Sequence, residues 1–172
     1  MMKQLKTPLK KEDLLGLSAG EFIYLSGTVV TARDKAYKRA LKIKEFPVDL
    51  CDSVLFHAGP LVKKINEDWV IVSIGPTTSS RMNSMQRTFM ELFRVSAVVG
   101  KGGMSPDIFK DRGVYLAMCG GTAALGARCV KQVKQVHWLD LGAAEAVWVL
   151  EVKMLGPLLV GVDCKGNSAI KY

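Results

Sequence analysis

The sequence predicts a single α/β domain built on a mixed sheet. Short runs of β-branched and apolar residues alternate along the chain with segments whose apolar residues recur at helical spacing. The chain has 172 residues, of which 49% are hydrophobic, which is enough to build one core. We therefore interpret residues 1–172 as one domain, with a core over about 15–170 and a basic lead-in over 1–14.

The predicted strands are rich in Val, Ile, Leu and aromatic residues and end at glycine, proline or charged residues. In chain order they cover 21–32, 53–58, 70–74, 95–99, 114–119, 147–154 and 158–162. Gly27 lies inside the first of them and predicts a bulge or a close approach of two backbones. The predicted helices cover 35–44, 81–94, 106–112 and 123–133.

The central stretch, residues 70–83, carries the strongest chemical pattern. An apolar run with the composition of a buried strand is stopped by Gly75-Pro76 and followed by four hydroxyl residues, 77–80. Ser79 or Ser80 is a candidate N-cap, which would place Arg81 in the first helical turn. Hydroxyls, free N–H groups and a guanidinium at a helix start favour a carboxylate or phosphate. The alternative is an ordinary cap beside a solvated arginine.

Two further strand ends carry cations. Arg33 follows the first long strand, where an ion pair with a neighbour is the alternative to anion binding. Lys101 lies between glycines at the end of the strand 95–99, where an exposed glycine turn is the alternative. Its surroundings match neither a Walker A loop nor a GxGxxG fingerprint. Because ligands gather at the carboxyl ends of strands in open α/β sheets, these cations together predict a site for a dianion.

The charge is unevenly distributed. Ten Lys/Arg residues against four Asp/Glu lie in residues 1–44, and the formal net charge of the chain is +8. Such a bias favours an acidic partner or an anionic substrate. Nucleic acid is the less favoured interpretation, because the basic region has few aromatic residues for stacking bases and no known reader motif.

Cysteine usage argues against a metal site built by this chain alone. Cys51, Cys119, Cys129 and Cys164 are scattered, without a CxxC pair or a neighbouring histidine. Buried free thiols in a reducing compartment are the simpler interpretation. No apolar run approaches the ~20 residues of a membrane helix, and the N-terminus lacks a signal-peptide core, so a cytoplasmic location is expected.

Read together, the motifs resemble a known family. They are Ser26-Gly27-Thr28, Thr31-Ala32-Arg33-Asp34, Gly59-Pro60, Gly75-Pro76-Thr77-Thr78 with Arg81-Met82, Gly100-Lys101-Gly102 and Gly120-Gly121. In this order they resemble the β subunit of class I fumarate hydratase over about residues 15–170. The same pattern occurs in the β subunit of L-tartrate dehydratase and in the C-terminal domain of single-chain class I fumarases.

The resemblance implies a swivelling β/β/α three-layer fold and an iron–sulfur hydro-lyase. The partner α subunit would hold a [4Fe–4S] cluster through three cysteines, and the cluster would act as a Lewis acid. Arg33, Arg81 and Lys101 would bind the dicarboxylate substrate, with Thr78 beside them. Thr77 would lie near the substrate in a proton-transfer role, for which it would need the field of the cluster or of a neighbouring charge.

The sequence leaves alternatives at four points. The family usually reads RDxAH, whereas this chain has Tyr37 where the histidine stands, and tyrosine does not titrate near neutral pH. Hydration of fumarate to (S)-malate is the expected reaction, and dehydration of L-tartrate to oxaloacetate is the alternative. A non-catalytic module that binds anions or nucleic acid is the third interpretation. The family implies an α2β2 assembly, and a homodimer of this chain is a further alternative.

Overall fold

The computed structural model describes residues 2–170, so the extreme ends of the predicted domain lie outside the described residues. The strands are β1 (Lys3–Lys6), β2 (Phe22–Thr31), β3 (Val54–Phe56), β4 (Leu61–Ile65), β5 (Asp68–Ser73), β6 (Ala97–Gly100), β7 (Val114–Ala117), β8 (Val130–His137) and β9 (Val147–Val162). The α-helices are α1 (Lys11–Leu15), α2 (Asp34–Ile43), α3 (Asn83–Phe93) and α4 (Ala123–Cys129). Short 3-10 turns cover Ser79–Met82, Pro106–Ile108 and Leu139–Leu141.

Seven strands form one mixed sheet in the order β1-β2-β3-β6-β7-β9-β8. The first five strands of that order run parallel, and β9 runs antiparallel to each of its partners. β9 also pairs along β2, with Phe22 opposite Leu159 and Val30 opposite Val149. The sheet therefore closes on itself, and β9 forms the wall that faces the parallel strands.

Two apolar cores lie on the two sides of the parallel strands. Val54 and Phe56 of β3 point into the inner core enclosed by the closed sheet, where they meet the buried Trp148 of β9. Leu55 points the other way, to the outer core under α2 and α3. The layers are the β9 wall, the parallel strands and the helices, so the predicted α/β fold class with three layers and a mixed sheet is confirmed.

Several predicted elements are confirmed in place. The predicted strands 21–32, 53–58, 95–99 and 114–119 correspond to β2, β3, β6 and β7, and the predicted helix 35–44 corresponds to α2. The expected bulge is present, because pairing with β9 shifts register between Leu25 and Gly27. Gly27 has φ +103°, and a Cβ there would lie 2.4 Å from Oγ1 of Thr7. Glycine is thus required both by the backbone angle and by the space.

The prediction of a buried strand at 70–74 is wrong. β5 pairs only with β4, in a separate two-stranded hairpin, and every residue of β5 keeps some exposure. The hairpin turns at Asn66, which adopts φ 54°. A β-branched run suits a half-exposed hairpin strand as well as a buried one, and periodicity alone does not separate the two.

The predicted serine cap is also wrong. A 3-10 turn precedes α3, which begins at Asn83, and neither start has a side-chain capping hydrogen bond. Arg81 therefore lies in the 3-10 turn. The predicted end of the helix near Arg94 is confirmed, since α3 ends at Phe93 and Arg94 adopts a left-handed conformation. The helix predicted over 106–112 is reduced to the 3-10 turn Pro106–Ile108.

The helix predicted over 123–133 is too long, because α4 ends at Cys129 and β8 follows directly. Val130, Val133 and Val136 have the spacing of a helix face, yet all three pack on the inner core from a strand. Register shifts between Val130 and Gln132 and between Val133 and Gln135 explain the spacing. Each bulge adds one residue, so a period of three keeps one strand face inward.

The last and the first strand of the chain, β9 and β1, also differ from the prediction. The late strands predicted over 147–154 and 158–162 are one strand, β9, which continues through Gly156-Pro157 with an extra residue opposite β2. Proline is tolerated at such a bulge because no ladder hydrogen bond is required of it. No strand was predicted in the basic lead-in over 1–14, but Lys3–Lys6 pairs with β2 as β1.

Candidate active site

The candidate site lies where three parallel strands end. Arg33 follows β2, His57 follows β3 and Lys101 follows β6. The segment that follows β5 lies between His57 and Lys101 and forms backbone hydrogen bonds to both. The N–H of Thr77 donates to the carbonyl of His57 at 2.7 Å, and the N–H of Lys101 donates to the carbonyl of Thr77 at 3.0 Å.

The backbone pairing with Lys101 continues through the next two residues, Thr78 and Ser79. Thr78 bridges Lys101 in parallel pairing, and the N–H of Ser79 donates to the carbonyl of Lys101 at 3.0 Å. The structure thus brings Thr77, Thr78 and Lys101 into one hydrogen-bonded unit, as a site at these positions requires. The separation of Thr77 from Lys101 in sequence is bridged entirely by backbone contacts.

The hydroxyl of Thr77 has a defined direction. Its Oγ1 donates to the carbonyl oxygen of His57 at 3.1 Å, and the side chain is half-buried. Because its proton is already donated, the oxygen presents its lone pairs to any further neighbour. Thr77 is therefore arranged to accept a hydrogen bond from a bound molecule.

Arg81 and Asp34 form an ion pair with Nη2 and Oδ2 3.2 Å apart. Asp34 is the first residue of α2 and directly follows Arg33. The contact therefore ties the 3-10 turn after Thr78 to the start of α2. Two of the three cations predicted for the site, Arg33 and Arg81, are therefore joined to the same end of that helix.

Arg33 lies against a second carboxylate. Its Nε is 3.3 Å from Oε1 of Glu145, outside hydrogen-bonding geometry, so this buried Nε has no partner among the described residues. Glu145 also accepts from the N–H of Lys35 at 3.0 Å. A Cβ at Gly59 would lie 2.5 Å from Nη1 of Arg33, so glycine makes room for the guanidinium. The local alternative of an ion pair for Arg33 is the arrangement that the structure contains.

Lys101 is exposed and forms no ion pair with a residue between 2 and 170. Its side chain passes Gly120, where a Cβ would lie 3.0 Å from its Cδ. The ammonium group therefore remains open to an anion from solvent. Gly120-Gly121, a pair in the motif pattern, supplies the space along its stem.

A buried polar cluster behind Thr77 was not predicted as part of the site. It consists of Tyr37, His57, Ser79 and Gln86, all fully buried. The oxygen of Tyr37 lies 2.8 Å from Nε2 of His57 and 2.8 Å from Oε1 of Gln86, and Nδ1 of His57 lies 2.8 Å from Oγ of Ser79. The one signal available in the sequence was the departure from the family pattern at Tyr37.

Burial controls the charge state of this cluster. It lowers the pKa of His57 from 6.5 to about 3, with the charge of Asp34 opposing that shift more weakly. Burial also raises the pKa of the Tyr37 phenol, against the smaller effect of its hydrogen bond to Gln86. Both groups are therefore neutral throughout the physiological range, and neither serves as a titrating acid or base.

The fold, the motif residues and their geometry can now be set beside known proteins. A family model described as "Fumarase C-terminus" matches residues 2–172. The chain belongs to the fumarase C-terminus family. The resemblance drawn from the motifs is confirmed.

Relatives in the fumarase C-terminus family carry two names. A "Putative L(+)-tartrate dehydratase subunit beta" from Methanocaldococcus jannaschii is 49% identical over 169 residues, covering 93% of this chain and 87% of that protein. The "L(+)-tartrate dehydratase subunit beta" of Escherichia coli strain K12 is 45% identical over 175 residues, covering 99% and 87%. A "Putative fumarate hydratase class I" from Geobacillus stearothermophilus is 36% identical, covering 95% of this chain and 32% of that longer protein.

Within residues 2–170, no three His, Cys, Asp or Glu side chains are grouped as ligands for a metal ion. No helix in the same range is long and apolar enough to cross a membrane.

Proposed function

We propose that this chain is the β subunit of an iron–sulfur hydro-lyase that acts on a four-carbon dicarboxylate. The observation that carries the proposal is the hydrogen-bonded unit of Thr77, Thr78 and Lys101, with Arg81 following Thr78 in the 3-10 turn and paired with Asp34. Two separate cations suit two carboxylates, and the lone pairs of the Thr77 hydroxyl oxygen are available to a bound molecule. Membership of the fumarase C-terminus family supports the same reaction class.

In this proposal the cations bind and orient the substrate. Arg81 is suited to a carboxylate because its planar fork offers parallel N–H groups, and Asp34 occupies only part of that fork. Lys101 supplies a point charge for the second carboxylate. Arg33 would join them by exchanging Glu145 for substrate, using the N–H groups of its guanidinium. Thr78 would add a hydroxyl beside the carboxylate bound by Lys101.

Thr77 would act at the reacting carbon. To act as a base it would first lose its hydroxyl proton to solvent, and the resulting alkoxide could accept the proton that leaves carbon in dehydration and return it in hydration. The hydrogen bond to the His57 carbonyl orients the Thr77 oxygen but takes up no proton. A positive field would stabilise the alkoxide.

We propose that this field comes from a [4Fe–4S] cluster held by a partner α subunit, because the described residues offer no ligand group for it. When bound, the cluster would supply Lewis-acid chemistry toward the departing hydroxyl. The relatives named as beta subunits support a two-subunit enzyme, which we propose is an α2β2 assembly. We place it in the cytoplasm, whose reducing conditions suit the free cysteines of this chain.

Two substrates are candidates, fumarate and L-tartrate. The relatives named for tartrate dehydratase are 45% and 49% identical, and the relative named for fumarate hydratase is 36% identical. L-Tartrate is therefore the substrate to assay first, although the motifs alone favoured fumarate. The two reactions differ in one hydroxyl on the substrate, which this half of the site does not discriminate.

The test is anaerobic affinity isolation with this chain as bait, followed by iron analysis and assays with both substrates. A brown, iron-containing partner and turnover of either dicarboxylate are expected, and the better substrate names the enzyme. Isolation of a partner without iron, or of an iron-containing partner without turnover of either substrate, would overturn the proposal. Salt-sensitive retention on DNA without a partner would instead favour the nucleic-acid interpretation.

A further inference from the structure

The buried polar cluster of Tyr37, His57, Ser79 and Gln86 joins four separate elements. Tyr37 comes from α2, Gln86 from α3, His57 from the end of β3 and Ser79 from the 3-10 turn. Each of the three side-chain contacts between them measures 2.8 Å. The cluster therefore fixes the relative positions of the segments that carry the cations and Thr77.

The contact between Tyr37 and Gln86 fixes which atoms of the cluster donate hydrogen bonds and which accept them. With Oε1 of Gln86 facing Tyr37, the tyrosine hydroxyl donates to that oxygen. The oxygen of Tyr37 then accepts from Nε2–H of His57, and Nδ1 of His57 accepts from the hydroxyl of Ser79. A neutral imidazole has one donor and one acceptor, and this arrangement uses both.

The main chain of His57 is held against Thr77. The backbone carbonyl of His57 accepts both the N–H and the hydroxyl of Thr77, at 2.7 and 3.1 Å. Two residues after Thr77, the hydroxyl of Ser79 is hydrogen-bonded to Nδ1 of the same histidine. A displacement of the His57 ring would therefore act on Thr77 through Ser79 and through the main chain of His57.

Space around the cluster is equally restricted. A Cβ on Gly100 would lie 1.8 Å from Oγ of Ser79 and 3.3 Å from Nδ1 of His57. Tyr37 stacks on Phe89 with ring centroids 4.1 Å apart. The cluster also leaves Nε2 of Gln86 buried without a partner among the described residues, a cost that an apolar core would avoid. Apolar side chains would fill this space without that cost, so the polar side chains have a role beyond filling space.

We propose that Tyr37 and His57 are positioning residues that aim the Thr77 hydroxyl oxygen at the substrate. The inference rests on the proposed function for its kinetic consequence, but the hydrogen-bond order stands on the cluster alone. The residue at position 37 orients the ring of His57, and His57 orients the Thr77 hydroxyl. Neither the ring of Tyr37 nor that of His57 touches the substrate or exchanges a proton with it.

The kinetic test uses the assembled complex with the α subunit. Tyr37→Phe removes the bond to Nε2 of His57, and we expect kcat to fall about tenfold or more while KM stays within about twofold, because the cations are untouched. Tyr37→His restores a hydrogen-bonding ring and should recover kcat to within about threefold of the parent. The matched control is Tyr24→Phe, which removes a phenol hydroxyl at the far end of β2 from Arg33.

The outcomes separate positioning from structure. A lower melting temperature for Tyr37→Phe with unchanged kcat would mean a structural role and would overturn the proposal. Equal losses in Tyr37→Phe and Tyr24→Phe, or a Tyr37→His variant as slow as Tyr37→Phe, would do the same. Loss of kcat in Tyr37→Phe alone, with recovery in Tyr37→His, would support it.

A second measurement does not depend on catalysis. Nitrogen-15 NMR of the full chain labelled in its two histidines should show a pyrrole-type Nε2 and a pyridine-type Nδ1 for His57, unchanged from pH 8 to pH 5. His137→Gln assigns the signals. The opposite tautomer, or protonation within that range, would overturn the hydrogen-bond order. An inactive parent complex with the expected NMR pattern would instead count against the proposed function alone.

Discussion

The Nη2 atom of Arg81 lies 3.2 Å from the Oδ2 atom of Asp34, and the two side chains are 46% and 29% exposed. The carboxylate orients the guanidinium from one side, while its other N–H groups remain open to solvent. An arginine held in this way is prepared for a second carboxylate at little further loss of side-chain entropy.

Replacing Arg81 should therefore damage catalysis and spare the fold. For Arg81→Ala in the assembled enzyme we expect kcat/KM to fall about 100-fold, because a charge-assisted hydrogen bond to substrate is lost. The melting temperature should change little, since exposed ion pairs contribute at most about 1 kcal/mol. Arg87→Ala is the matched control, because it breaks a comparable exposed pair with Asp107. Similar kcat/KM values for the two variants would remove Arg81 from the site.

Lys101 should affect binding more than turnover. Lys101→Met keeps the apolar stem and removes the charge, so we expect KM for the dicarboxylate to rise about tenfold, with smaller changes in kcat. Stability should be unchanged, because the ammonium group is exposed and has no ion-pair partner between residues 2 and 170. Steady-state kinetics check this, with the exposed Lys153→Met as control. An unchanged KM would contradict the role of Lys101.

His57 should make the fold sensitive to mild acid. Its pKa is about 3 in the folded chain and its ordinary value is 6.5, so between these values the unfolded chain binds a proton that the folded chain excludes. Stability is therefore complete above pH 6.5 and falls as the pH is lowered through this window, by about 1.4 kcal/mol per pH unit from this group.

Urea unfolding of the parent and of His57→Gln at pH 7, 6, 5 and 4 measures this contribution. The free energy of unfolding should fall less steeply with acid in His57→Gln, because glutamine does not titrate. His137→Gln should retain the parent slope, since it leaves His57 in place. Parallel slopes for the parent and His57→Gln would contradict the depressed pKa.

Gly100 should tolerate no side chain. A Cβ there would lie 1.8 Å from Oγ of the buried Ser79, so Gly100→Ala should destabilise the chain by about 1–3 kcal/mol and disturb His57. Gly120→Ala is the comparison, because its nearest neighbour is the flexible stem of Lys101 at 3.0 Å. Chemical denaturation should separate the two variants clearly. Equal stability would mean that Ser79 can move freely.

The sequence was informative where structure is local. The strands β2, β3, β6 and β7, the helix α2 and the bulge at Gly27 were predicted correctly, because each depends on neighbours in the chain. β8 was missed for a physical reason: two bulges give Val130, Val133 and Val136 the spacing of a helix while they form one face of a strand. Only the pairing with β9 reveals this arrangement.

In the candidate site, too, the sequence indicates local features but not contacts between distant residues. Residue types and spacing pointed to Thr77, Arg81 and Lys101, but no local pattern connects His57 with Tyr37, twenty residues away, or Arg33 with Glu145. These contacts exist because the sheet closes and brings the ends of different strands together. The polar cluster could only be found once the three-dimensional arrangement was known.

The length of β9 has a consequence for how the chain acquires its structure. β2 leaves the ribosome well before its antiparallel partner, which lies more than a hundred residues later, with Phe22 opposite Leu159. The inner core therefore cannot be enclosed until synthesis has passed residue 162, and until then its apolar side chains remain accessible. Such distant pairings slow folding, and the apolar surface exposed in the meantime is prone to aggregation.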